Sequence, residues 1–130
     1  MDIKFTSKLK KPTDIFNLYE QLGWNRFLKL EMEKLVFAME KSFYVLYAYK
    51  ANKLLGTGRV ISDGLTNAYL CGLGVLPDYR NRGIGKELCK NLVEYCKNQN
   101  LHVQFFCEEN LVPYYEKLGF EVFSVGMRPK

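Results

Sequence analysis

Histidine is almost missing from this chain: its 130 residues include one, His102. The four cysteines, Cys71, Cys89, Cys96 and Cys107, form no C-x-x-C pair and have no histidine cluster near them. A zinc site has nothing to build on, and no metal is expected. Long apolar runs are missing too; none approaches the ~20 residues of a membrane span, so no membrane partner is expected. The opening Met1-Asp2-Ile3-Lys4-Phe5 lacks the apolar stretch of a signal peptide. A soluble, cytoplasmic protein with reduced thiols follows as the expectation. Cys89 and Cys96, seven apart in a helical pattern, should then share one buried face. There is no run of five or more basic residues behind the net charge of +5 and the pI near 9.0. A nucleic-acid surface would need its cations clustered, so no nucleic-acid partner is expected. Repeats, low-complexity tracts and linkers are all lacking, and the length suits a single domain over residues 1–130.

What the chain does have is Arg80-Asn81-Arg82-Gly83-Ile84-Gly85, entered from Leu73-Gly74-Val75-Leu76-Pro77 and followed by a helical pattern. A strand ends at a proline, turns, and runs into a glycine-rich helix start. Such a start aims free backbone N–H groups and the positive end of a helix dipole at one point. That point is an anion site suited to phosphate. Arg80, Arg82 and Lys86 add side-chain charge to the same turn. The string is neither G-x-G-x-x-G nor G-x-x-x-x-G-K-[ST], because Lys86 is followed by Glu87. It is R-x-x-G-x-G, with V-x-P at Val75–Pro77 just upstream.

Elsewhere, periodicity sketches the elements. Ile3–Leu9 alternates weakly, as an edge strand would. Pro12-Thr13-Asp14 starts a helix with Ile15, Leu18, Tyr19 and Leu22 on one face, ended by Gly23. Trp24-Asn25-Arg26 makes a corner, and a second helix places Leu28, Met32, Leu35, Val36 and Met39 together. Phe43–Tyr49 and Lys53–Ile61 read as a hairpin around Lys50-Ala51-Asn52, and Ser62-Asp63-Gly64 as the next turn. Ala68–Val75 is a strand whose Gly72 and Gly74 mark a bulge or a close approach of another backbone or a ligand. A helix over about Gly83–Gln99, a strand at Leu101–Cys107, a short helix at Asn110–Leu118 and a last strand at Phe120–Met127 complete the order. The pattern β-α-α-β-β-β-α-β-α-β implies an α/β mixed sheet with helices on both faces.

The R-x-x-G-x-G segment resembles the coenzyme A signature of the GNAT superfamily of N-acetyltransferases. Tyr114-Tyr115-Glu116-Lys117-Leu118-Gly119-Phe120 is similar to the "YEKLGF" ending those enzymes carry, and the likeness spans about residues 43 to 127. The resemblance implies a sheet in which Ala68–Val75 and Leu101–Cys107 are parallel neighbours that splay into a V-shaped cleft. It implies acetyl-CoA as cosubstrate and a small-molecule amine as acceptor, acetylated by direct attack in a ternary complex. Backbone groups of Arg80, Asn81, Arg82, Gly83, Ile84, Gly85 and Lys86 would hold the pyrophosphate. Leu73, Gly74 and Val75 would pair with the pantetheine arm as an added strand does. Asn110 is either a further cofactor contact or simply the cap of its helix.

Tyr115 takes the position of the family's general acid. A phenol of pKa near 10 can protonate a thiolate of roughly 8.5 with modest tuning. Tyr114 is expected only to pack. No base is evident, because the strand before the signature carries neither carboxylate nor histidine; Asp63, Glu108 and Glu109 qualify only if loops bring them close. A water chain or an amine of low pKa would remove the need. Trp24, Arg26, Phe43, Tyr44, Tyr47 and Tyr49 offer surfaces for the acceptor. Two rival readings remain, a non-catalytic CoA-binding sensor and an acetyltransferase acting on a protein amine. Exposed sheet edges make a homodimer possible.

Overall fold

The computed structural model describes residues 2–130. Its sheet has five strands in the order β1 (Lys4–Thr6), β2 (Tyr44–Lys50), β3 (Lys53–Ser62), β4 (Asn67–Val75), β5 (His102–Gln104). The first four are antiparallel and β5 is parallel to β4, which makes the sheet mixed. Helices α1 (Pro12–Gln21), α2 (Asn25–Leu28) and α3 (Met32–Glu40) lie between β1 and β2 in the chain; α4 (Ile84–Asn98) and α5 (Val112–Lys117) follow β4 and β5.

Local chemistry accounts for the boundaries. Pro12 occupies the first turn of α1, where a missing N–H costs nothing, and the Asp14 carboxylate accepts from the Lys11 backbone at 3.2 Å. The hairpin turns at Ala51, with φ of 53°. In the next turn, the backbones of Leu65 and Thr66 donate to Asp63 Oδ1, each at 2.8 Å. These bonds hold the Asp63 carboxyl below its ordinary pKa of 3.8.

The core lies on both faces of the sheet. Buried Ile15, Leu18, Tyr19, Leu35 and Met39 come from α1 and α3, and Ile84, Leu88, Cys89, Leu92 and Cys96 from α4. Cys89 and Cys96 therefore do share a buried face. Opposite faces are occupied, because a Cβ on Gly58 would meet Leu92 whereas one on Gly74 would meet Trp24.

Two expectations need correction. The helix after the corner is broken: Lys29 adopts φ of 50°, and α2 is separate from α3. Asn25 is the cause. Its side-chain amide donates to the Leu30 carbonyl at 3.0 Å, and its Oδ1 accepts from the Leu30 N–H at 2.9 Å. This buried side chain competes with the helix for backbone partners. Leu28 is left half exposed instead of facing the core. The last strand is also missing: residues 120–130 form no strand pairing, and Val125 and Met127 are 85% and 93% exposed. Alternation alone does not make a strand; it needs a paired edge, and β5 ends at Gln104.

Candidate active site

The register of β3 against β4 builds the centre of the site. Thr57 pairs with Gly74 and Arg59 with Cys71, so Gly72 and Leu73 share the position opposite Gly58. This is the bulge that the two glycines suggested. Gly72 takes φ of +60°, a conformation that L side chains rarely adopt. A Cβ there would lie 2.9 Å from the Tyr19 hydroxyl and 3.7 Å from Arg59 Nε.

On its other edge β4 pairs with β5 only through Asn67–His102, Ala68–Val103 and Tyr69–Gln104. From Leu70 to Val75 the strand continues without β5, whose pairing is shorter than the expected Leu101–Cys107. The two strands diverge, and the V opens where the resemblance places it. A cleft of about 500 Å³ occupies the opening. Its walls include Tyr19, Trp24 and Arg59 from one face and Leu73, Cys89, Phe105 and Tyr115 toward the other.

At the end of β4 the chain passes through a 3-10 turn, Pro77–Tyr79, into the glycine loop. Arg80 Nε donates to the Val75 carbonyl at 2.9 Å, which ties the loop to the strand end. Arg82 lies over the Tyr79 ring at 5.3 Å. Asn81 and Gly83 both have positive φ, 63° and 83°. Gly83 is the N-cap of α4 and no side chain caps that end, so the first-turn N–H groups of Ile84, Gly85 and Lys86 have no intrahelical acceptor. The Ile84 side chain is buried in the core and anchors the turn. A Cβ on Gly83 would meet nothing within 4 Å. The turn is open on that side, and its positive φ favours glycine there.

Other candidates are dispersed. Lys86 lines a second groove of about 580 Å³ with Lys90 and His102. Asn110 is exposed in the 3-10 turn Glu109–Leu111, and the N-cap of α5 is Leu111 without a side-chain cap, so Asn110 is not the cap. Asp63, Glu108 and Glu109 are not among the cleft residues, and among the described residues no carboxylate or histidine lines it. Of the proposed acceptor surfaces only Trp24 is at the cleft. Tyr47 and Tyr49 are core, and Phe43 and Tyr44 pack on Tyr95.

Tyr115 is half-buried among Phe105 at 4.7 Å, Tyr114 at 5.1 Å and Phe120 at 6.1 Å. Burial, with smaller contributions from Cys89, Tyr114 and Cys107, pushes its phenol up to about 12. The shift runs against the modest tuning expected of a free proton donor. Tyr114 packs on Tyr115, and its hydroxyl lies 3.4 Å from the position of a Cβ on Gly85, beside the glycine turn. Sequence reasoning also missed Tyr19 and Arg59. The one available signal was an arginine inside the otherwise uncharged run Leu54–Ile61.

The mixed sheet thus opens beside an uncapped glycine helix start. Residues 9–120 match the Acetyltransferase (GNAT) family, and the chain belongs to that family. It is 27% identical over 127 residues to the histone acetyltransferase TAP1 of Glycine max, covering 88% of this chain and 54% of that protein. It is 26% identical over 136 residues to the chloroplastic GCN5-related N-acetyltransferase 2 of Arabidopsis thaliana, covering 88% of this chain and 52% of that protein. The chain thus spans about half the length of these curated relatives. A probable acetyltransferase from meticillin-resistant Staphylococcus aureus, SA2161, superposes with a TM-score of 0.80 at 23% identity, over 99% of both chains. Glucosamine-6-phosphate N-acetyltransferase from Arabidopsis thaliana superposes at 0.78 and 18% identity, over 100% of this chain and 99% of that one. These two superpositions establish the shared fold.

Proposed function

We propose that the chain is an N-acetyltransferase that moves an acetyl group from acetyl-CoA to the amine of a small molecule, in one ternary complex. The observation that carries this reading is the cleft through the splay, with the uncapped start of α4 beside it and Tyr115 in its wall. The residues fit the cosubstrate. N–H groups of the α4 first turn suit a pyrophosphate, and the open space over Gly83 leaves room for one. The free edge of β4 from Leu70 to Val75 suits a peptide-like arm, because buried backbone groups need partners. When bound, acetyl-CoA supplies an activated thioester.

The chain's own residues manage the protons. One N–C bond forms, one C–S bond breaks, and a proton lost by the amine must finish on sulfur. Tyr115, held as a phenol at about 12, is a weaker acid than a thiol of about 8.5. It acts by giving its proton to sulfur while taking one from the amine side, so that no phenolate accumulates. No carboxylate or histidine lines the cleft, and the amine has to arrive neutral. The apolar walls favour that form by desolvation.

Calorimetric titration with acetyl-CoA, followed by thiol release against a panel of amines, tests the proposal. Binding with release on a small amine is the expected result. Binding without release on any amine would favour a sensor, and no binding would overturn the whole reading.

A further inference from the structure

Arg59 is the feature of the cleft that the reaction does not require. It sits in mid-strand on β3, half-buried, opposite Cys71. A guanidinium carries five N–H donors. Here Nη1 donates to Ser42 Oγ at 3.3 Å, and Nε is buried with no partner. Arg59 makes no ion pair with any described residue. Glu40 and Arg59 act on the Tyr47 phenol in opposite directions, which places both within electrostatic reach of that ring. A guanidinium half-withdrawn from water with no anion beside it leaves N–H donors unmet. An anion arriving from the cleft would meet them, and a planar fork suits a carboxylate or phosphate.

Its surroundings define the space for such an anion. The glycine at the bulge leaves the Tyr19 hydroxyl and the Arg59 side chain uncovered by any Cβ. Trp24, Phe27 and Phe106 supply flat apolar walls, and among the described residues Arg59 is the one charged residue lining the cleft. A basic peptide would meet a cation here and no carboxylate.

Resting on the acetyltransferase reading, we propose that Arg59 is the specificity-determining residue of an acceptor subsite. It would take an amine that carries an oxyanion, a carboxylate or a phosphate, on a body small enough for the cleft. The anion would lie against Arg59 and Tyr19, leaving the amine toward Tyr115 across the splay.

Matched pairs test this. L-phenylalanine against phenethylamine isolates a carboxylate, O-phosphoethanolamine against ethanolamine isolates a phosphate, and a lysine-rich peptide represents the opposite charge. Binding is measured by calorimetry with and without CoA, and turnover separately by thiol release. In the wild-type protein the anionic member of at least one pair should bind at least tenfold more tightly; which pair does so identifies the oxyanion. Arg59→Met should bring that ratio within twofold and leave CoA affinity unchanged, while Arg59→Lys keeps part of it. Equal binding of both members in both pairs, stronger binding of the peptide than of any anionic amine, or a ratio that survives in Arg59→Met would overturn the subsite. If Arg59→Met does not fold, the wild-type ratios and Arg59→Lys decide. Arg59-dependent binding without thiol release on any amine would support the subsite and overturn the acetyltransferase reading. Thiol release with no anionic preference would do the reverse.

Discussion

At Tyr115 the surrounding rings do two things to one phenol. Phe105, Phe120 and Tyr114 fix its orientation, and burial keeps it protonated by raising it to about 12. Tyr115→Phe keeps the rings and removes only the hydroxyl. Turnover should fall at least tenfold, with acetyl-CoA affinity within twofold of wild type; steady-state kinetics beside calorimetry checks both. Unchanged turnover would remove Tyr115 from the mechanism. Since no acid or imidazole lines the cleft, the pH dependence should belong to the substrate. For an alkylamine of pKa about 10, log kcat/KM should climb with unit slope from pH 6 to about pH 9, because only the neutral amine reacts. A plateau beginning near pH 7 would reveal an enzymic base. Tyr115 could be singled out in sequence because it sits in a continuous motif. Arg59 could not, because its place in the cleft depends on which residues of β3 and β4 face each other across a bulge.

At the scale of elements, the loop from β4 into α4 works through its backbone. Gly83 has positive φ and opens to solvent, so the consequence of a side chain there depends on its charge. Asn and Asp tolerate the left-handed region better than other residues with a Cβ. Gly83→Asn and Gly83→Asp should therefore both fold, each losing about 1 kcal/mol on the general scale. Gly83→Asp adds a negative charge at the positive end of a 15-residue helix, where the proposed function places a pyrophosphate. We expect acetyl-CoA affinity to drop at least 100-fold in Gly83→Asp and less than tenfold in Gly83→Asn, by calorimetry. Equal affinity in the two variants would separate the loop from the phosphate. The loop, the hairpin at Ala51 and the turn at Asp63 were all legible in sequence, because glycine, proline and aspartate act on neighbours in the chain. The break between α2 and α3 was not. It comes from the Asn25 side chain closing on Leu30, a choice between two local hydrogen-bonding schemes that helical periodicity does not register.

Across the whole molecule, the sheet is joined continuously from β1 to β4 and then held to β5 by three residue pairs. α4 spans the divide, packing Leu88, Leu92 and Cys96 into the core. Long-range pairing of this kind is where sequence reading runs short. The alternation in Phe120–Met127 suggested another strand, yet nothing along the chain reveals whether an edge is free to receive it. An arm laid between the diverging strands would replace the missing β4–β5 partners, and the benefit should be felt on both sides of the cleft. At 100 times its Kd a ligand bound only by the folded state adds about 2.7 kcal/mol of stability. Hydrogen exchange can locate that effect. With acetyl-CoA bound, amides within Leu70–Val75 that face β5, and those of Ile84, Gly85 and Lys86, should slow by at least tenfold beyond any uniform change. Amides of the β2–β3 hairpin, already paired on both strands, should share only the uniform part. If the slowing is uniform, the ligand stabilises the fold without lying along the β4 edge. If it is confined to the second groove, at Lys90, His102 and Val103, that groove is the binding site and the splay is not.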